Sequence, residues 1–190
     1  MAKISVPFIN DLQEQDLWCW AAVSANVYNS ALQLLGAAKR KQCEVVQAVV
    51  QAAAGSGPCT NPNNFNDIKT ADAGLEVLGM ADGFPDNSNL DIALLVGELT
   101  PVNTSDPEGE PVCAEILWDD NATHFVAVSG VNPANNTVFV EDPYLGPGNT
   151  VEYRFQQFLD HYGAKDPKSL RPARRGTVKT FQKVKRAPGP

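Results

Sequence analysis

Hydrophobic and polar positions divide the chain into a first part with helical spacing and a second part with the alternation typical of strands. In residues 17–35 apolar side chains recur three and four positions apart, as at Val27, Ala31 and Leu34, which predicts a buried helix. The same spacing predicts further helices over 42–54, 66–78 and 88–99.

After residue 110 the period changes. Alternating runs predict strands over 111–118, 123–131 and 137–144, and the short turns between them predict an antiparallel meander. A late helix is predicted over 151–163 and a last strand over 176–185. The prediction is one α+β domain over residues 1–190, with a helical part of about 1–100 and a β part of about 101–190.

Composition excludes several classes of protein. The apolar share of 43% is enough for a buried core, and the chain has no run of 18 apolar residues that could cross a membrane. The first ten residues lack the apolar core of a secretory signal, so we expect either a cytoplasmic protein or one secreted by another route. The net charge of −7 combines an acidic body with a basic segment over 151–190, which has few aromatic residues and does not indicate nucleic-acid binding.

The four cysteines do not form a metal-binding pattern. There is no CxxC motif, and His124 and His161 are the two histidines of the sequence, so neither a zinc site nor another cofactor is predicted.

Cys19 stands where a thiol would be reactive. In the stretch QDLWCWAAV, Asp16 has the character of an N-cap, which would place Cys19 at the third helical position. The free N–H groups and the dipole of a helix N-terminus stabilise an anion there, and a thiolate is the nucleophilic form of cysteine.

His124 and Asp142 are predicted to be neighbours. His124 begins the strand 123–131 and Asp142 lies at the end of the strand that follows it, and in an antiparallel hairpin these two ends lie side by side. A carboxylate in that position holds an imidazole in one tautomer. Asp119 and Asp120 are alternative partners, although the turn that contains them is expected to be exposed.

An oxyanion formed during acyl transfer needs donors near Cys19. The backbone N–H of Cys19 is one candidate, and the side-chain amide of Gln13, six residues upstream, is the second, with Gln15 as the alternative.

These motifs in this order resemble the papain-like cysteine peptidases. The matching features are Q-x5-C, CWAA, a strand H-F-V-A-V-x-G-V, a strand ending V-x-D-P, and an opening V-P-F-I at residues 6–9. Among them the AvrRpt-type effector proteases, which act as virulence factors, and bacterial relatives with a CWAA-like motif are the most similar. The resemblance covers roughly residues 6–160, and residues 55–110 match nothing in the family.

The resemblance implies a helical lobe and a β lobe with a cleft between them. It implies Cys19 as nucleophile, His124 as base, Asp142 as orienting acid and Gln13 as oxyanion donor. Trp18 is expected to wall the cleft and contact substrate, and related secreted proteins suggest a disulfide between Cys43 and Cys59, with Cys113 left as a buried free thiol.

The function predicted is hydrolysis of peptide bonds by a thiol peptidase that acts as a monomer on protein or peptide substrates, without cofactor, nucleic acid or membrane. An amidase of cell-wall peptides or a transglutaminase-like acyl transferase could use the same three residues. A catalytically silent binding module of the same fold is the alternative from a different class.

Overall fold

Residues 2–33, 38–53, 55–82, 90–101, 109–163 and 176–184 are described by a computed structural model. Within these ranges the helices are α1 (Cys19–Gln33), α2 (Gln42–Val50), α3 (Ala71–Val77), α4 (Ile92–Leu99) and α5 (Phe155–His161). The strands are β1 (Ile4–Ser5), β2 (Val112–Trp118), β3 (Thr123–Asn132), β4 (Thr137–Glu141), β5 (Val151–Arg154) and β6 (Gly176–Lys183).

The strands form one antiparallel sheet in the order β5-β4-β3-β2-β6, and β1 pairs with the far end of β3. The predicted meander over β2, β3 and β4 is therefore confirmed, as is the α+β class. Tight turns at Asn121 and Asn136, which both have a positive φ, connect these three strands.

Both faces of the sheet are buried. In β3, Phe125 and Ala127 belong to a cluster of apolar residues shared with α1, α2 and α3, whereas Val126 and Val128 belong to a second cluster on the opposite face. Successive side chains of a strand point to opposite faces, so one strand can contribute to both clusters. The central strand is thus held on both sides, which fixes the position of its first residues.

Helix α1 lies against β3 and against the other helices of the first cluster. Trp18 and Trp20 anchor its N-terminal end: both are almost wholly buried, and their indole N–H groups donate to the carbonyl oxygens of Phe65 and Asp67. This anchoring places the start of α1 next to the sheet.

Several predicted boundaries are wrong. The helix predicted over 42–54 ends at Val50, because Gln51 takes the left-handed conformation and its N–H closes the last turn. The helix predicted over 66–78 covers only Ala71–Val77, and the end predicted at Leu35 for the first helix lies outside the described residues.

The segment predicted as one helix over 151–163 contains the strand β5 and the short helix α5. Its first four residues pair with β4, and Tyr153 is buried on the sheet. Helix α4 also differs from the expected division near residue 100: it packs on the sheet in the second cluster, and not in the first cluster with α1, α2 and α3.

A disulfide joins Cys43 at the start of α2 to Cys59 in the following loop, so the suggested pair is confirmed. Cys19 and Cys113 are buried free thiols, and burial raises the pKa of Cys113 to about 12. Within the described ranges, no helix is both long and apolar enough to cross a membrane.

Candidate active site

The β3–β4 hairpin brings His124 and Asp142 together, as the sequence predicts. His124 is the second residue of β3, Asp142 directly follows β4, and His124 Nε2 lies 2.8 Å from Asp142 Oδ1. The side chains of both residues are only about a tenth exposed, at 12% and 11%. Such a short contact between two mostly buried groups is favourable when the imidazole is protonated and the carboxyl is ionised.

Three donors surround the Asp142 carboxylate. Besides His124, the backbone N–H of Tyr144 donates to Oδ1 at 2.8 Å, and the Tyr162 hydroxyl donates to Oδ2 at 2.6 Å. Burial alone would raise the pKa of Asp142, but the charge of His124 and these hydrogen bonds outweigh it and lower the pKa. Asp142 is therefore an ionised acceptor over the neutral pH range.

The His124 ring is enclosed and strongly basic. The Trp118 ring stacks near it with centroids 6.0 Å apart and an angle of 25° between the planes. Burial is the largest single effect and would lower the pKa of His124, yet the charge and hydrogen bond of Asp142, together with smaller effects of Cys19, raise it to about 10. The imidazolium form is thus favoured at neutral pH.

Cys19 lines the same cleft as His124 and Asp142, and its interaction with His124 is among the effects that raise the pKa of that ring. Since Nε2 is occupied by Asp142, Nδ1 is the ring nitrogen left for the sulfur. The structure therefore brings together the three residues for which the sequence predicts a joint role, in the order carboxylate, imidazole, thiol.

The start of the helix differs from the predicted one. The first helical hydrogen bond runs from Ala22 N to Trp18 O at 2.8 Å, so Cys19 is the first helical residue and Asp16 is not the N-cap. Asp16 lies in a preceding turn closed by Trp18 N and Gln15 O. Cys19 still lies at the positive end of the helix, and its N–H has no acceptor within the helix.

Gln13 lines the same cleft as Cys19 and His124, and its backbone N–H donates to Pro143 O at 2.9 Å. Its side-chain Nε2 donates to the carbonyl oxygens of Gln15 and Asp16, at 3.0 and 3.1 Å, and its Oε1 is buried without a hydrogen-bond partner. Gln13 therefore lies at the cleft, and both N–H groups of its side chain are occupied in this arrangement.

Trp18 does not wall the cleft as predicted. It is fully buried in the first core cluster, where its indole N–H donates to Phe65 O. The aromatic side chains that line the cleft besides His124 are Trp118, Tyr144, Tyr153 and Tyr162. Asp119 and Asp120, the alternative partners of His124, are exposed in the turn before β3.

Tyr162 and Trp118 are not among the site residues that the sequence predicts. Tyr162 was hidden in a segment predicted to be one helix, and in the structure it follows α5 and pairs with Gly176 through two backbone hydrogen bonds. A signal that could have found Tyr162 is its apolar ring beside the polar His161, which favours a buried position. A buried tyrosine needs a hydrogen-bond partner for its hydroxyl.

No group of three or more histidine, cysteine, aspartate or glutamate side chains arranged to hold a metal ion occurs among the described residues. Comparison with known protein families and with curated proteins found no match.

Proposed function

We propose that the protein is a papain-like cysteine peptidase in which Cys19 attacks the peptide bond, His124 transfers protons and Asp142 orients His124. The observation that carries the proposal is the 2.8 Å contact of Asp142 with His124 in the same cleft that Cys19 lines, where Cys19 also contributes to the raised pKa of His124. A thiol at a helix start, an imidazole and a buried carboxylate, delivered by three separate elements, are more than the packing of a core requires.

The first step is formation of the nucleophile. His124 takes the Cys19 proton at Nδ1, while Asp142 accepts the hydrogen bond from Nε2, and the result is a thiolate–imidazolium ion pair. The high pKa of His124, about 10, favours the proton on the ring at neutral pH. The thiolate sulfur then bonds to the carbonyl carbon, and the carbonyl π electrons move to its oxygen.

The resulting oxyanion is stabilised by hydrogen-bond donors at the helix start. The Cys19 N–H is one donor, and the Gln13 side chain is the second. For this role one N–H of Gln13 has to leave the carbonyl oxygen of Gln15 or Asp16, a rotation of one side chain. Gln13→Ala should therefore lower kcat more than it changes KM.

Collapse of the tetrahedral intermediate breaks the C–N bond, and His124 gives its proton to the leaving amine nitrogen. Water then attacks the thioester while His124 accepts a proton from it, and the C–S bond breaks to release the carboxylic acid. The protein returns to the ion pair, so each turnover consumes one water molecule and leaves the residues unchanged.

The cleft walls favour apolar over acidic substrates. Leu17, Ile68, Trp118 and Leu145 provide apolar surface around the site, and Asp16 provides a negative charge. No lysine or arginine lines the described part of this cleft. We expect cleavage beside uncharged apolar side chains, with acidic residues nearby disfavoured.

The test is a substrate screen of wild type against Cys19→Ala with a mixed peptide library, cell-wall peptide fragments and an amine acceptor in parallel arms. Cleavage in the peptide arm that Cys19→Ala abolishes supports the peptidase. Cleavage confined to the cell-wall arm would indicate an amidase, and amine incorporation an acyl transferase. Equal activity in both proteins would refute catalysis by Cys19.

The matched control is Cys113→Ala, which removes the other free thiol, buried in β2. It should keep full activity and full labelling by the epoxide E-64, while Cys19→Ala loses both. A protein whose Cys19 reacts no faster than an ordinary free thiol would indicate a binding module.

A further inference from the structure

We propose that Tyr162 is a positioning residue of this site: its hydroxyl holds the Asp142 carboxylate in the orientation that binds His124. A catalytic role of Tyr162 rests on the proposed peptidase function. The structural basis of this role is the hydrogen bond of the Tyr162 hydroxyl to Oδ2 of Asp142, the carboxylate oxygen other than the one that binds His124.

The two carboxylate oxygens have different tasks. Oδ1 accepts from His124 Nε2 and from Tyr144 N, both at 2.8 Å, and Oδ2 accepts from the Tyr162 hydroxyl at 2.6 Å. A partial rotation of the carboxylate about its last bond would move both oxygens out of these contacts together. Tyr162 is 2% exposed and Asp142 8% exposed, so water cannot easily replace the hydroxyl.

The backbone of Tyr162 is itself fixed. Its N–H donates to Gly176 O at 2.8 Å, and Gly176 N donates back to Tyr162 O at 3.1 Å. Gly176 opens β6, and only glycine fits there, since a Cβ would lie 2.3 Å from Ile116 Cγ2 and 3.0 Å from the Trp118 ring. The last strand of the sheet therefore supports the residue that orients Asp142.

Aromatic packing fixes the ring as well. Tyr162 lies against Trp118, Tyr153 and Phe158, with centroid distances of 5.8, 5.3 and 6.0 Å. Trp118 also stacks on His124, so the same indole contacts the base and the residue that holds its carboxylate. A Phe ring would keep this packing, and only the hydroxyl contact would be lost.

Removal of the hydroxyl should act through Asp142. A buried carboxylate that loses one donor is easier to protonate, so it loses its charge at a higher pH than in the wild type. Below that pH His124 has no ionised partner. The acid limb of the activity profile should then move to higher pH, by about one unit for the loss of one hydrogen bond to a charged group.

The experiment compares Tyr162→Phe with wild type and with Tyr28→Phe, a matched control on α1 outside the cleft. The first readout is the rate of Cys19 alkylation by iodoacetamide from pH 3 to 10, measured by mass spectrometry, which needs no substrate. The second is the pH profile of kcat and KM on the best peptide of the substrate screen.

The expected result is an acid limb raised by about one pH unit in both readouts, with a lower kcat and little change in KM, in Tyr162→Phe alone. If the acid limb of the Tyr162→Phe profile lies at the same pH as in the wild type, the inference is overturned. It is also overturned if Tyr162→Phe fails to fold, since the hydroxyl would then serve stability.

The two proposals can fail separately. If wild-type Cys19 shows no enhanced reactivity and no cleavage, the peptidase proposal fails. If wild-type Cys19 is reactive and Tyr162→Phe has the same profile, the peptidase proposal stands and the role of Tyr162 is refuted.

Discussion

The charge of Asp142 should control the protonation of His124, and Asp142→Asn isolates that charge. Asparagine keeps the shape of the side chain, and its oxygen can still accept from His124 Nε2 and from Tyr144 N, which both lie 2.8 Å from Oδ1 in the wild type. What disappears is the negative charge beside a side chain that is only 12% exposed.

The magnitude follows from the opposing effects on His124. Burial, the largest effect, lowers its pKa, and Asp142 contributes most of the effects that raise it from 6.5 to about 10. Without the charge we expect a pKa of 6.5 or below, a fall of at least about three units. At roughly 1.4 kcal/mol for each unit, the imidazolium form loses about 4 to 5 kcal/mol of preference.

The assay is an NMR titration of the histidine rings, which is simple because the chain has two histidines. His161 is exposed and serves as an internal reference. Alkylation of Cys19 at pH 7 should fall by about tenfold or more in parallel, since its imidazolium partner is then largely neutral.

Asp119→Asn is the matched control, because it removes a carboxylate from the exposed turn just before the strand of His124. It should leave the titration of His124 unchanged. A His124 that still titrates near pH 10 in Asp142→Asn would refute the reasoning, as would a larger shift in Asp119→Asn than in Asp142→Asn.

Three further results are expected. Reduction of the Cys43–Cys59 disulfide, or Cys43→Ser, should lower the free energy of unfolding by about 3 kcal/mol in the chain-entropy picture of a 16-residue separation; an unchanged denaturant midpoint would contradict this. Gly74→Ala should cost about 1 to 3 kcal/mol, because a Cβ would lie 2.3 Å from Ser24 Oγ, and thermal unfolding measures it; an unaltered Tm would mean that Ser24 moves away freely. The raised pKa of His124 stabilises the folded protein fully below pH 6.5 and is lost as the pH rises to about 10, so urea unfolding should show falling stability across that window, and a flat curve would exclude a protonated His124.

Periodicity and turn residues were enough to predict the parts of the fold that are set by local sequence. The meander over β2 to β4 and the helix that starts near Cys19 follow from alternation, from helical spacing and from turns at Asn121 and Asn136. The pairing of His124 with Asp142 follows from topology alone. In a short antiparallel hairpin the start of the first strand, with His124, lies beside the end of the second strand, with Asp142.

The ends of the helices and strands depend on tertiary contacts, which local sequence patterns do not predict. The residues after 150 have helical spacing, yet four of them pair with β4, since the edge of a sheet offers a row of free hydrogen-bonding groups. Trp18 lies next to Cys19 in the sequence, which suggests a place in the cleft wall. In the structure it belongs to the core, and its indole N–H donates to the carbonyl oxygen of Phe65, 47 residues later.

The same limit explains why Tyr162 escaped the sequence analysis although its hydroxyl lies 2.6 Å from Asp142. Its position depends on Gly176, which is fourteen residues later and makes both backbone hydrogen bonds to it. A nucleophile and its base can be predicted from residue type, because cysteine and histidine have few other reasons to stand at such places. A residue that only orients them can be of many types, and what selects it is a contact formed after the chain has folded. Positioning residues of this kind are therefore recognised from the folded structure more than from the sequence.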